Sequence, residues 1–225
     1  MEKRKQSWGI ISDRETRSPA GALGEGKGME IEVNIPDGES GKWRVEEFEI
    51  SKLDADFANI RASMRDNRYV SPGKYKKLTF NNQIVMSNTP AEILDHMEFM
   101  RRATGSILIN GLGLGVALSE ILKKSDVTSV TIVEISEDVI KLVGPTFLED
   151  NRVIIIHADA LEWKPPKGKV YDYVWHDIWN HICTDNLEDM KKLHRRYGRR
   201  SRWQGSWCRE TCEYYKKRES RNPWR

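Results

Sequence analysis

The chain has 225 residues, of which 38% are hydrophobic and 32% are charged, and a formal net charge of +3. This composition is typical of a soluble globular protein with one main α/β domain, and it leaves both small-molecule and nucleic-acid partners open. No apolar run approaches the length of a membrane span and no apolar signal region follows Met1, which excludes a membrane partner and favours the cytoplasm.

The N-terminal part divides into an arm and a region of β-hairpins. Residues 1–28 are charged and glycine-rich without sustained periodicity, which predicts a flexible arm. Residues 29–88 form the predicted hairpin region. Apolar and polar residues alternate over 29–35 and again over 43–50, and turn residues fill 36–41, so the pattern predicts a first hairpin with one buried face.

A helix and a second hairpin follow. Residues 52–65 have the pattern of a short amphipathic helix. Its apolar positions are Leu53, Phe57, Ile60 and Met64. Strands over 77–80 and 83–87, joined at Asn81 and Asn82, are predicted to form the second hairpin.

The next helix has a well-defined predicted start. Thr89 suits the N-cap, Pro90 suits the first helical position, and Glu92 completes a capping box. We therefore expect a packing helix from Pro90 to about Arg102.

A glycine-rich turn comes directly after that helix and organises the rest of the chain. The apolar run 107–110 is followed by Gly111, Gly113 and Gly115, and then by a helical pattern over 116–122. A strand, a tight turn and a helix in this order are typical of a nucleotide-binding turn, since glycine lets a ligand approach the backbone N–H groups. Glycines that only allow close packing of helix on strand are the alternative.

Three further strands are predicted, and each ends in an acidic residue. Residues 129–134 end in Glu134, residues 153–160 include Asp159, and residues 170–177 end in Asp177. Strands that alternate with helices predict a Rossmann-like parallel sheet with helices on both faces, preceded by the small hairpins. No clear strand follows Trp179, so we expect a shortened sheet of about four or five strands, whose edge is covered by the hairpins or by a partner subunit.

The acids and the glycines together indicate a nucleoside ligand. Glu134 is placed to accept hydrogen bonds from both ribose hydroxyls, and Asp159 to accept from an adenine amine. The alternatives are a solvated loop carboxylate for Glu134 and a helix cap for Asp159. The spacing G-x-G-x-G has Val116 where a dinucleotide turn has a further glycine, and no phosphate loop is present, which favours a nucleoside without a phosphate chain.

With these motifs in place, residues 78–179 resemble class I S-adenosylmethionine-dependent methyltransferases, and within them the spermidine-synthase-like branch. The resemblance is carried by ILINGLGLG, VTIVEIS with Glu134, HADAL with Asp159, and YDYVWHDIW with Asp177. It implies S-adenosylmethionine, or decarboxylated S-adenosylmethionine, as the cofactor. The implied cofactor-binding residues are Asn110, Gly111, Gly113, Gly115, Glu134, Ile135, Asp159 and Ala160.

Asp177 is the predicted catalytic residue, because it is placed to position or deprotonate an acceptor. His176 points to the opposite side of a regular strand and is expected to be structural. Trp175 is expected either to line an acceptor pocket or to pack in the core.

Two differences from aminopropyltransferases make aminopropyl transfer a weaker hypothesis than methyl transfer. The Tyr-His pair of that group is replaced by Pro90 and Ala91, and the second acid of its fourth strand is replaced by Asn180. The leading hypothesis is a methyltransferase of unknown small-molecule or macromolecular acceptor, and aminopropyl transfer is one alternative.

The C-terminal part supports the other alternative. The predicted cofactor domain covers 89–190, and 191–225 is a basic, aromatic segment of predicted helical character, with thirteen Lys or Arg against Glu210, Glu213 and Glu219. It fits either nucleic-acid contact or helices that pack on the sheet with solvated cations, and so a non-catalytic nucleic-acid-binding or assembly protein is the third hypothesis. The odd set of three cysteines, Cys183, Cys208 and Cys212, predicts neither a disulfide framework nor a metal site. Homo-oligomerisation is left open.

Overall fold

The computed structural model describes residues 31–65 and 68–221, in which an antiparallel sheet precedes a parallel one. The predicted arm 1–28 lies outside the described residues, as do the first two residues of the predicted strand 29–35. Among the described residues, no helix combines the length and the apolar character that crossing a membrane requires.

The antiparallel sheet contains both hairpins, with its strands in sequence order. Its strands are β1 (Gly38–Ser40), β2 (Trp43–Ile50), β3 (Gly73–Phe80) and β4 (Gln83–Ser87). Asn81 and Asn82 join β3 to β4 with φ angles of 50° and 63°. Positive φ at both central residues matches the right-handed twist of a hairpin, and asparagine tolerates it. The second predicted hairpin is therefore confirmed.

The first hairpin differs from its prediction. Residues 31–37 belong to no strand, and the strand that pairs with β2 is Gly38–Ser40, inside the predicted turn. The alternation nevertheless has a cause, because the side chains of Ile31, Val33 and Ile35 are all buried. The segment packs against the core without a β-ladder, and Pro36 would have no N–H to give to one.

Helix α1 (Lys52–Arg65) has its predicted bounds, but its apolar stripe faces outwards. The exposed side chains, 56% to 75% accessible, are Leu53, Phe57, Ile60 and Met64. The buried residues of the helix are instead the small Ala55 and Ala62, and Asn59 bonds to both backbone groups of Val70. Because the alanine side chain is small, the backbone of α1 can lie close to neighbouring segments on the face that carries Ala55 and Ala62.

Helix α2 (Pro90–Arg102) starts as predicted, with Thr89 at the N-cap, but the capping box is wrong. The Glu92 carboxylate accepts from the backbone N–H of Ser87, not from that of Thr89. The Thr89 hydroxyl bonds to the Ser87 hydroxyl at 3.0 Å and caps nothing. The Glu92 carboxylate and the Thr89 hydroxyl, which were expected to form the capping box, are therefore both bonded to Ser87 at the end of β4.

The parallel sheet has five strands in the order β7-β6-β5-β8-β9, and all neighbouring pairs are parallel. The strands are β5 (Gly105–Asn110), β6 (Val127–Glu134), β7 (Val153–His157), β8 (Tyr171–His176) and β9 (Ser201–Ser206). The remaining helices are α3 (Val116–Leu122), α4 (Glu137–Leu148), α5 (Asn186–Tyr197) and α6 (Arg209–Arg221). One apolar core packs α2, α3 and α4 on one face, and a second packs α5 on the other. This is the predicted Rossmann-like α/β fold.

The expectation that no strand follows Trp179 is wrong, because β9 pairs with β8 from Tyr171 to His176. The sequence of β9 is short and polar, so no apolar run indicates a strand there. Tertiary packing stabilises the strand instead. The indoles of Trp175 and Trp203 stack with centroids 6.3 Å apart and planes 8° apart, and Phe99 stacks on Trp175 at 5.2 Å. Helix α5 crosses the predicted boundary between residues 190 and 191.

Candidate functional site

The glycine turn joins β5 to α3 and lies against the end of β8. Gly111, Gly113 and Gly115 have φ angles of 97°, 51° and 71°. A Cβ atom on Gly111 would overlap the carbonyl oxygen of Asp177, and the N–H of Asp177 donates to the carbonyl of Asn110 at 2.8 Å. The turn and Asp177 are therefore held together through their backbones.

Glu134, at the end of β6, contacts this turn directly. Its Oε2 accepts from the backbone N–H of Leu112 and its Oε1 from that of Ser136, both at 2.8 Å, and the residue is only 7% exposed. Burial raises the pKa of the carboxyl group, and the backbone N–H groups oppose that rise. The two motifs that the sequence paired thus meet in the structure, and the backbone N–H groups of Leu112, Gly113, Ile135 and Ser136 surround the carboxylate.

The other predicted cofactor residues of this edge follow β6 and β7, which are neighbours. Ile135 comes directly after Glu134 and is 59% exposed. Asp159 uses its Oδ1 to accept from the N–H of Leu161 at 2.7 Å within a turn, and it caps no helix, because none lies between β7 and β8. Ala160 is buried, and the Arg196 guanidinium donates to its carbonyl at 2.7 Å.

Asn110 is the last residue of β5, and its side chain bonds to the neighbouring strand β8. Its side chain is fully buried, and its Nδ2 donates to His176 Nδ1 at 2.7 Å. Burial, and then the neighbouring His194, lower the pKa of His176 to about 3, so the ring is neutral. The His176 Nε2 faces Gln204 Oε1 at 3.4 Å, and the structural role expected for His176 is the one observed.

Asp177 follows β8 at the same edge, with a side chain that is 20% exposed. Within the described residues its carboxyl group makes no hydrogen bond, and the nearest partner is His96 Nε2 at 3.8 Å from Oδ2. Burial, followed by the charges of Asp95, Glu92 and Glu134, raises the pKa of Asp177 to about 8. The group is thus largely protonated at neutral pH.

The neighbours of Asp177 on α2 are functional candidates that the sequence analysis missed. Burial raises the pKa of Glu92 and lowers that of His96 to about 4. His96 is 2% exposed, and its Nδ1 has no partner in the described part of the chain. Asp95 is bound by Arg68 through two bonds of 2.7 and 2.9 Å. The spacing of 92, 95 and 96 on one helix face was available in the sequence, but Glu92 had been assigned to the capping box.

Cys208 belongs to the same cluster through β9. It has a φ of 50°, and burial, followed by the charge of Asp95, raises the pKa of its thiol. In residues 31–65 and 68–221 no group of three or more His, Cys, Asp or Glu side chains is arranged to hold a metal ion.

Part of the basic C-terminal segment is engaged inside the fold. Arg196 donates to three carbonyls between residues 160 and 163, whereas the ion pair of Arg202 with Asp172 at 3.2 Å lies at the surface, with Arg202 83% exposed. Other cations of this segment are exposed, among them Lys191, Arg195, Arg199, Lys216 and Lys217. Nucleic-acid contact by this segment stays a prediction.

No protein-family model and no curated protein matches the chain. Among solved structures, it matches the plantazolicin methyltransferase BpumL in complex with SAH, with 21% identity over 48% of this chain and 38% of that one and a TM-score of 0.35. It matches the spermidine synthase of Thermotoga maritima with 18% identity over 72% and 54% of the two chains and a TM-score of 0.40. The match to the N-methyltransferase NodS of Bradyrhizobium japonicum has 11% identity over 49% and 62%, with a TM-score of 0.38.

The chain therefore spans between 38% and 62% of the length of these three structures. Its own strand order and glycine turn establish the fold. It is the Rossmann-like α/β fold that the resemblance to class I S-adenosylmethionine-dependent methyltransferases predicted.

Proposed function

We propose that this chain is an S-adenosylmethionine-dependent methyltransferase. The observation that carries the proposal is the contact between Glu134 and the glycine turn. No Lys or Arg of the described residues pairs with this buried carboxylate, which is held by backbone N–H groups alone. A buried carboxylate costs free energy unless it accepts hydrogen bonds, and the hydroxyls of a ribose would donate further ones to Glu134.

The residues around Glu134 suit the rest of an adenosine cofactor. Ile135 offers an exposed apolar side chain beside the carboxylate, and Asp159 and Ala160 follow the adjacent strand, where an adenine would be held. Gly111, Gly113 and Gly115 have no Cβ and would let a cofactor approach the backbone of the turn closely, while Asn110 would act by holding the turn to β8. The bound cofactor would supply a methyl carbon activated by its sulfonium, so the protein mainly has to align donor and acceptor.

Asp177 would receive the acceptor. Because its pKa lies near 8, it would hold a proton when the site is empty and release it when a cationic group enters. Glu92 and Asp95 on α2 make the surroundings negative, with Arg68 offsetting one charge. An amine acceptor fits this charge better than a carboxylate acceptor, which the acids would repel.

Replacing Glu134 by Ala is expected to weaken the binding of S-adenosylhomocysteine at least about tenfold. Each hydrogen bond to a charged group is worth about 1.5–3 kcal/mol, and about 1.4 kcal/mol is a factor of ten in affinity. Isothermal titration calorimetry with S-adenosylhomocysteine and S-adenosylmethionine measures the effect.

The matched control is Glu137→Ala, which removes an exposed carboxylate of α4 that pairs with Lys141 at 2.8 Å. It should bind like the wild type. Glu134→Gln keeps an acceptor oxygen and tests the site if the alanine variant melts early. Equal affinity of the Glu134 variants and wild type would refute the ribose assignment, and no heat with folded wild-type protein would refute the proposed function.

Aminopropyl transfer is the second candidate, and the acids around Asp177 favour it. Glu92 and Asp95 supply carboxylates near Asp177, although Asn180 stands in place of the second acid of the fourth strand of aminopropyltransferases. The two candidates differ in their cofactor. Methyl transfer uses S-adenosylmethionine, and aminopropyl transfer uses decarboxylated S-adenosylmethionine, which lacks the carboxylate. Tighter binding of decarboxylated S-adenosylmethionine, strengthened further by 1,4-diaminobutane, would support the second candidate, whereas a preference for S-adenosylmethionine would exclude it.

A further inference from the structure

Met86 lies against the glycine turn, although it comes from the antiparallel sheet. The register of β3 with β4 pairs Leu78 with Met86 and Thr79 with Ile84, so Val85 is an extra residue in β4. A bulge of this kind bends its strand and re-aims the side chains beside it. The Met86 side chain thereby reaches the turn between β5 and α3.

The Met86 sulfur makes two close approaches to the turn. Its Sδ accepts from the backbone N–H of Leu114 at 3.2 Å. A Cβ atom on Gly113 would lie 2.6 Å from the same sulfur. The thioether therefore occupies the open side of Gly113, which is the side that a glycine leaves free for a ligand.

Little space is left beside Met86. The cavity that it lines together with Gly111, Leu112, Trp175 and Asp177 has a volume of about 10 Å³, which is roughly the room for one water molecule. Small-molecule sites usually have volumes of about 300–1,000 Å³. A nucleoside that contacts the turn at Gly113 would therefore have to displace the Met86 side chain.

The nature of the side chain makes displacement feasible. Methionine is unbranched and has three rotatable side-chain bonds, so it moves without a change of backbone. Its sulfur is a weak acceptor, and a ligand oxygen would form a stronger bond with the Leu114 N–H.

We propose that Met86 is a displaceable occupant of the nucleoside site and sets the affinity of this chain for its cofactor. This inference rests on the proposed function, because it requires that a nucleoside cofactor binds at the glycine turn. Binding then includes the withdrawal of Met86 from Gly113 and Leu114. The apparent affinity for the cofactor is then proportional to the fraction of molecules in which Met86 is already withdrawn.

The test compares S-adenosylhomocysteine binding by calorimetry in the wild type, Met86→Ala, Met86→Leu and Met97→Ala. Met86→Ala removes the occupant and is expected to bind about tenfold more tightly. Met86→Leu keeps the bulk without the sulfur acceptor and is expected to lie between the alanine variant and the wild type. Met97 is a partly buried methionine of α2 that packs against the core, so Met97→Ala controls for the loss of a methionine.

Weaker or unchanged binding by Met86→Ala would overturn the inference. The absence of binding in all four proteins would instead contradict the proposed function. A second measurement needs no folded variant: in wild-type protein labelled at its methionine methyl groups, saturating S-adenosylhomocysteine should shift the Met86 resonance. A Met86 resonance that stays in place while heat shows binding would also overturn the inference.

Discussion

Replacing Gly111 by Ala is expected to lower the free energy of unfolding by about 4 kcal/mol or more, at the upper end of single substitutions. Gly111 has a φ of 97°, which an alanine adopts only at a cost. Its new Cβ would also overlap the backbone carbonyl of Asp177, which no side-chain rotation relieves. Denaturant unfolding followed by circular dichroism measures the loss.

Gly168→Ala is the matched control for this substitution. Gly168 has a similar φ of 82°, but no atom lies within 4 Å of the position of its Cβ. The control should therefore show only the backbone strain, about 1–2 kcal/mol. Losses of equal size at the two glycines would contradict the close approach of Gly111 to Asp177.

Asp177→Asn is expected to remove a pH dependence of stability. The pKa of Asp177 rises from 3.8 to about 8 on folding. Between these pH values the folded protein keeps a proton that the unfolded chain has lost, so the free energy of unfolding falls as pH rises, by at most about 1.4 kcal/mol per unit. The asparagine variant has no such proton, and its stability relative to wild type should rise from pH 4 to 8 and level off above that.

Unfolding curves of both proteins at several pH values measure this difference. Asp56→Asn, an exposed position on α1, should follow the wild type throughout. Parallel curves for Asp177→Asn and wild type would show that the pKa of Asp177 is not raised. The same residue should then be ionised in the empty site, and its proposed response to a cationic acceptor would be lost.

Much of the parallel sheet was predictable because strands buried on both faces have apolar runs that end at turn residues. β5 and β6 are of this kind, and their ends carry Gly111 and Glu134. β9 was not predictable, since Ser201–Ser206 has no apolar run and depends on Trp203 stacking on Trp175. The apolar spacing in α1 predicted the helix but not its buried face, because spacing shows which residues share a face and not which face packs against the protein.

The candidate site also has features that the sequence predicts and features that it does not. The meeting of Glu134 with the glycine turn follows from the edge at which parallel strands end, a rule that needs only the sequence. The cluster of Glu92, Asp95 and His96 near Asp177 depends on how α2 docks against β8, which no local pattern encodes. Met86 reaches Leu114 through a bulge, and a bulge of one residue leaves no trace in the alternation of so short a strand.

The stack of Phe99, Trp175 and Trp203 gives the chain an optical property. Indole planes 8° apart with centroids 6.3 Å apart are close enough for their electronic transitions to couple. Trp175 also lines the small cavity beside Asp177 and Met86. We therefore expect the absorption of the coupled rings to change when a ligand enters that space, without any added label.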